Sequence, residues 1–172
     1  MTDYGNTRRW YALYTRPRFE KKVNALLQEK GLESFLPLQT VLSQWSDRKK
    51  KIDKPLFSRY VFVYVSFRQI IHAIQTHGVA RVLSCNGSPS AIPEEEINAI
   101  KQVLEKADSF ENGHYLHLGQ KVEVIRGPFQ GLRGRLIEQR GQKRFLVGIE
   151  RIGQALIVQI NERDVCPIAQ FD

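Results

Sequence analysis

Few side chains in this chain have the type and spacing for chemistry. His114 and His117 could serve as two metal ligands, but no cysteine lies near them and the stretch around them is polar and turn-rich, so no metal site is expected. Cys85 and Cys166 belong to no Cys-x-x-Cys pair and cannot build a disulfide framework. Asn86-Gly87-Ser88 matches a glycosylation acceptor, which carries meaning only in a secreted chain. The chain has no Gly-x-x-x-x-Gly-Lys phosphate loop, no Gly-x-Ser-x-Gly elbow and no His-Glu-x-x-His pair. Neither an enzyme nor a cofactor is expected. What stands out instead is a set of cations: Arg16, Arg18, Lys21 and Lys22, then the run Arg48, Lys49, Lys50 and Lys51. Guanidinium and ammonium groups in such clusters bind polyanions.

The distribution of charge sharpens this. The formal charge is +8, and residues 8–59 alone hold 13 Lys/Arg against 5 Asp/Glu. Residues 60–110 hold 4 against 5, and residues 111–172 hold 9 against 7, so the basic footprint lies in the first third. A polyanion partner is favoured there, although a solvated Lys/Arg face would look the same. With 42% hydrophobic residues in 172, the chain can bury one or two small cores. No apolar run approaches the roughly 20 residues of a membrane span, and "MTDYGNTRRW" lacks an apolar signal core. A cytoplasmic monomer with reduced thiols and no membrane contact is expected.

Elements must position these cations. "RRWYALYT" reads as a strand with Tyr11, Leu13 and Thr15 on one face and Trp10, Ala12 and Tyr14 on the other. "RPRFEKKVNALLQEKG" reads as a helix whose stripe is Phe19, Val23, Leu26 and Leu27, stopped at Gly31. "ESFLPLQTVLSQW", the basic "SDRKKKIDK" and "KPLFSRYVFVYV" predict a long hairpin tipped by Arg48 to Lys51. In the last of these, Tyr60, Phe62 and Tyr64 alternate with Val61, Val63 and Val65, so both faces are apolar and both need cover. A short helix should bury Ile70, Ile71 and Ile74, and "GVARVLSCNG" is a strand turning at Asn86-Gly87. A second long helix opens after Pro93 with Glu94, Glu95 and Glu96, suited to the positive end of its dipole, and carries Ile97, Ile100, Val103 and Leu104 as its stripe. "DSFENGHYLHLG" reads as a linker. Seven of the twelve glycines then fall between Gly119 and Gly153, among "KVEVI", "RGRLIE", "RFLVGI" and "ALIVQI", which predicts a small β-barrel. The fold class is therefore α+β, an antiparallel sheet with helices followed by a barrel.

"VEVIRGPFQGLRGRLIE" puts Phe129 at a glycine-bounded turn and resembles a KOW motif. Together with "RRWYALYT", "PLFSRYVFV" and "GVARVLSC" in this order, the chain from Arg8 to Ile168 resembles the NusG family of bacterial transcription elongation factors. The resemblance implies an NGN domain over 8–106, a linker over 107–118 and an SH3-like KOW domain over 119–168. It also implies docking on the β′ clamp helices of RNA polymerase through Trp10, Leu13, Leu56, Phe57, Tyr60 and Phe62, with contact to the β subunit as a further option. By the same route Arg16, Arg18, Lys21, Lys22 and His77 would meet non-template DNA. The tip Arg48, Lys49, Lys50 and Lys51 would meet upstream DNA, and Phe129, Arg151 and Ile152 a partner of the KOW domain.

Two departures bear on function. Ser58-Arg59 stands where the general factor usually has Pro-Gly, and "RIGQ" at 151–154 stands where it has Ile-Phe-Gly-Arg. The second puts Rho binding in doubt and leaves a small-subunit ribosomal protein open as a partner. "LPLQTVLSQWSDRKKKIDKPLF" resembles the specialised RfaH and UpxY paralogues, UpxY most, which suppress pausing and termination on long operons such as polysaccharide clusters. The glycines between Gly119 and Gly153 argue against the helical C-terminal hairpin that RfaH can form. The alternatives are a general NusG elongation and termination factor and, in another class, a KOW-type ribosome- or RNA-binding protein.

Overall fold

The computed structural model describes residues 6–44, 49–108, 110–114, 119–139 and 141–168. They divide into two compact units, Met1–Pro93 and Glu94–Asp172. The first contains β1 (Arg8–Thr15), α1 (Glu20–Glu29), β2 (Glu33–Phe35), β3 (Leu38–Gln44), β4 (Lys49–Pro55), β5 (Tyr60–Ser66), α2 (Ile70–Ile74), β6 (Val79–Val82), β7 (Ser84–Cys85), β8 (Ser88–Pro89) and β9 (Ala91–Ile92). The second contains α3 (Glu94–Lys106), β10 (Glu111–His114), β11 (Gln120–Val124), β12 (Arg133–Gln139), β13 (Gln142–Ile149), β14 (Gln154–Gln159) and β15 (Val165–Pro167).

The central sheet of the first unit runs β2-β5-β1-β6, with β9 also pairing β1. The register Leu13↔Val61 and Tyr11↔Val63 puts β-branched and large apolar groups side by side on one face. That face is the core. Tyr11, Leu13, Val61, Val63 and Val65 pack with Val23 and Leu27 of α1 and with Ile70 and Ala73 of α2. Each such side chain removed from water contributes roughly 1.5–3 kcal/mol. The other face gathers aromatic rings: Trp10 against Phe35 and Tyr64, and Phe62 against Phe35 and Phe57.

The expected pairing of "ESFLPLQTVLSQW" with "KPLFSRYVFVYV" is corrected: β5 pairs with β1 and β2, and the basic segment read as a turn is itself strand β4, so that Lys49, Lys50 and Lys51 lie in a hairpin with β3 that runs from Leu38↔Pro55 to Gln44↔Lys49. Its tip, including Arg48, lies outside the described residues. The turn at Asn86-Gly87 joins β7 to β8, with Asn86 at φ 51° and Gly87 at φ 79°. Ile71, expected in the core of the short helix, is 49% exposed, and Ala73 is buried instead. Ile70, Ala73 and the half-buried Ile74, at i, i+3 and i+4, face the core, which leaves Ile71 on the outer side.

The second unit is an antiparallel sheet in the order β10-β14-β13-β12-β11-β15. Two expectations differ here. Residues 111–114, read as linker, form β10 and pair with β14 from Glu111↔Ile157 to His114↔Gln154. "ENGH" has no apolar alternation, and the backbone ladder that holds it, beside one ion pair of Glu111 with Arg144 at 3.7 Å, leaves no mark in a local pattern. Helix α3, assigned to the N-terminal domain, groups with the C-terminal sheet. It runs against β13, and Gln102 Nε2 donates to the Pro128 carbonyl at 3.4 Å. Its stripe is as expected, with Ile97, Ile100 and Val103 fully buried. Among the described residues, no helix is long and apolar enough to cross a membrane.

Candidate functional site

Of the six residues expected to form an apolar docking patch, five are buried. Trp10, Leu56, Phe57 and Phe62 are between 0% and 5% exposed, and Tyr60 alone is half-buried. Leu13 is a correction: it points into the core shared with α1 and α2, on the face opposite Trp10 and Phe62. Strand alternation requires this, because positions 10 and 13 differ by an odd number and cannot share a face. Trp10, Phe57 and Phe62 instead pack among aromatic neighbours that bring Tyr60 and Tyr14 to the surface of the same face.

Those two tyrosines were not singled out together by sequence. The register sets Tyr14 between Tyr60 of β5 and Arg81 of β6. The tyrosine rings meet edge-on at 5.3 Å. The Arg59 guanidinium lies 4.4 Å from the Tyr14 ring centroid and that of Arg81 lies 5.1 Å from it. Burial pushes the Tyr60 phenol upward from its ordinary value, as does Tyr14, while Arg81 and Arg59 pull against the rise. Tyr14, Arg59 and Arg81 are thus residues that motif matching missed. Only cross-strand register joins them.

The cations near the start of α1 lie close to His77. Arg16, Arg18, Lys21, Lys22 and His77 are all exposed. The Arg16 N–H donates to the Gly78 carbonyl at 2.8 Å, tying the end of β1 to the loop before β6. His77 meets the Phe19 ring at 5.6 Å, and the Lys22 ammonium stands 5.6 Å from the same ring. Gly78 makes this approach possible, since it sits at φ 95° and a Cβ there would fall 2.5 Å from Phe19 Cδ1. On the hairpin, Lys50 and Lys51 are exposed, while Arg48 and the Lys49 side chain lie outside the described residues.

In the C-terminal sheet, Phe129 is 9% exposed and so is part of the core at its turn. Arg151 is exposed and Ile152 half-buried, in a single 3₁₀ turn, Glu150–Ile152, closed by Gly153 at φ 67°. His117 and the side chain of His114 lie outside the described residues. Among the described residues no three His, Cys, Asp or Glu side chains gather as a metal site. Cys85 and Cys166 are free and exposed.

A family model described as "Transcription termination factor nusG" matches residues 8–101, more than half of the chain. The chain belongs to the NusG family. It is 27% identical over 172 residues to the transcription termination/antitermination protein NusG of Streptococcus pyogenes serotype M3, covering 89% of this chain and 95% of that protein. It is 23% identical over 170 residues to NusG of Lactococcus lactis subsp. lactis, covering 91% of each. Among solved structures, Thermotoga maritima NusG aligns over 95% of this chain and 98% of its own, with 21% identity and a TM-score of 0.49. This NusG-family chain is mostly strand with three helices among its described residues.

One group in the NusG-family chain is set by its surroundings in a way that solution pH can read. Burial pushes the Glu96 carboxyl of α3 up to about 7 from an ordinary 4.5, and the nearby Glu150 carboxylate adds to the rise, opposed by Arg151. Its Oε2 is buried without a hydrogen-bond partner. A folded-state pKa above the unfolded value means stability fully present below 4.5 and lost as pH rises through about 7. Glu96→Gln should therefore stabilise the C-terminal unit above neutrality, by on the order of 1 kcal/mol because solvent screens a partly exposed group. Denaturant unfolding at about pH 5 and about pH 8 would show the variant with a flatter pH dependence than the parent.

Proposed function

We propose that this chain is a transcription elongation and antitermination factor that docks on the β′ clamp helices of RNA polymerase and suppresses pausing and termination. In this reading residues 8–106 are the NGN domain, in line with a family match that runs to residue 101, and residues 119–168 are the SH3-like KOW barrel. The observation that carries it is the aromatic face of the β2-β5-β1-β6 sheet. Helices α1 and α2 pack on the opposite face, whereas this one presents Tyr14 and Tyr60 above a stack of buried rings. Tyrosines held rigidly by neighbours are well suited to anchoring a protein partner, because little side-chain freedom is lost on binding. The docking role thus falls on Tyr60 and Tyr14, with Trp10, Leu56, Phe57 and Phe62 as their support.

The exposed cations at the start of α1 support a second contact of the same complex. Arg16, Arg18, Lys21, Lys22 and His77 would lie along the non-template strand, and Lys50 and Lys51 with the hairpin tip would face upstream duplex. Ser58-Arg59 and the "RIGQ" turn favour a specialised factor acting on selected long operons, such as polysaccharide clusters, over the general one. Arg151 and Ile152, both at the surface in part, would then offer a site to a small-subunit ribosomal protein rather than to Rho.

Two outcomes are expected. Tyr60→Ala should lower affinity for core RNA polymerase about 10-fold while leaving the fold intact, as read by equilibrium binding of the full chain. Unchanged affinity would remove the docking assignment. Combining Arg16→Ala, Arg18→Ala and Lys22→Ala should weaken binding to a bubble-mimicking DNA and make the salt dependence shallower by about one unit of slope per lost phosphate contact. Equal slopes for parent and variant would leave these cations as a solvated face.

A further inference from the structure

Arg59 holds a conformation that its residue type disfavours. Its φ is 68°, a region a non-glycine residue occupies at a cost, and such positions persist only when the surroundings fix them. The surroundings here do so. The Thr15 N–H donates to the Arg59 carbonyl at 2.8 Å, the Arg59 N–H donates to Glu20 Oε1 at 2.8 Å, and Arg59 Nε donates to the Thr15 carbonyl at 3.4 Å. The buried Glu20 carboxylate is thus used on the backbone of Arg59. The result is a guanidinium pinned over Tyr14 beside that of Arg81, two like charges on one ring.

The other end of the same face offers a comparison within the molecule. There Arg8 also covers a tyrosine ring, Tyr64, at 4.8 Å, but it donates to the Tyr64 carbonyl at 2.8 Å and pairs with Glu33 at 3.4 Å. Among the described residues no carboxylate pairs with the guanidinium of Arg59 or Arg81. One end of the face is neutralised within the chain and the other is left cationic.

We propose that Arg59 and Arg81, braced by Tyr14, form a carboxylate-binding site on the docking face, so that the partner segment seated there presents acidic side chains beside its apolar ones. The proposal rests on the docking reading above and specifies the chemistry of what docks. A planar guanidinium offers a fork of N–H donors that fits a carboxylate with two parallel bonds. With two guanidiniums against it, the Tyr14 ring is poorly placed to stack a base. The cations also converge on one spot bordered by aromatic groups instead of running in a row, as a phosphate track would require. Buried rings beside arginines are the composition of a protein contact.

The test compares the parent full chain with Arg59→Gly and Arg81→Gln. Glycine is at ease at φ 68°, so Arg59→Gly removes the guanidinium and relieves the backbone together, and it should fold at least as well as the parent. Each chain is titrated with core RNA polymerase, with poly-L-glutamate and with oligo(dT). Each variant should lose about 10-fold in polymerase affinity and bind poly-L-glutamate more weakly than the parent with a shallower salt dependence, the remainder coming from the other cations, with oligo(dT) binding kept. Polymerase affinity unchanged in both variants overturns the site and leaves the docking reading standing. Loss confined to oligo(dT) also overturns it, in favour of nucleic acid. If the parent itself fails to bind polymerase, the docking reading falls, and poly-L-glutamate then decides the site: equal binding by parent and variants overturns it.

Discussion

Seven consecutive residue pairs, from Arg8↔Ser66 to Tyr14↔Tyr60, lock β1 to β5, and this one register decides what each face of the N-terminal sheet can do. Both strands are apolar on both faces. A slip by one residue would move the valines of β5 from the helix-covered core to the aromatic face and exchange the two sets. In the observed register the branched aliphatic groups meet α1 and α2, where close packing rewards compact shapes. The rings collect on the other side, held by the edge-to-face contact of Phe57 with Phe62 and the tilted contact of Phe35 with Phe62. On the face with the rings, Tyr14 and Tyr60 are the half-buried positions at one end of the strand pair.

The same register extends this logic to charge. Tyr14 receives Tyr60 from one neighbouring strand and Arg81 from the other, and the connection preceding β5 adds Arg59. Glu20, at the first turn of α1, fixes that connection by accepting from its backbone. Sheet, helix start and loop therefore act as one unit at this corner. The cations of α1 and His77 lie next to it, joined through the Arg16 to Gly78 hydrogen bond. The aromatic face and the cationic edge thus sit side by side in the first unit without sharing side chains.

Much of this was legible in the residues alone. The amphipathic stripes of α1 and α3, the Asn86-Gly87 turn and the glycine-rich strands all follow from local periodicity and turn chemistry. Membership of the NusG family followed from motifs in order, and the family model agrees. The failures have a common cause. Leu13 was grouped with Trp10 by position in a motif, although alternation separates them. Strand β10 has no apolar alternation to mark it, because its attachment is a backbone ladder with one exposed ion pair. The partners of Arg59 and Arg81 are set by register and by a left-handed backbone angle, and neither is written in nearby residues. Long-range pairing is what a local pattern cannot carry.

The central claim is that the aromatic face around Tyr60 meets RNA polymerase. The most direct measurement places a photo-crosslinking amino acid at position 60 of the full chain in its own cells and identifies the adducts by mass spectrometry. Crosslinks to a polymerase subunit, within a segment rich in acidic and apolar residues, are the predicted result. Adducts confined to ribosomal proteins, or none despite normal expression, would contradict the account.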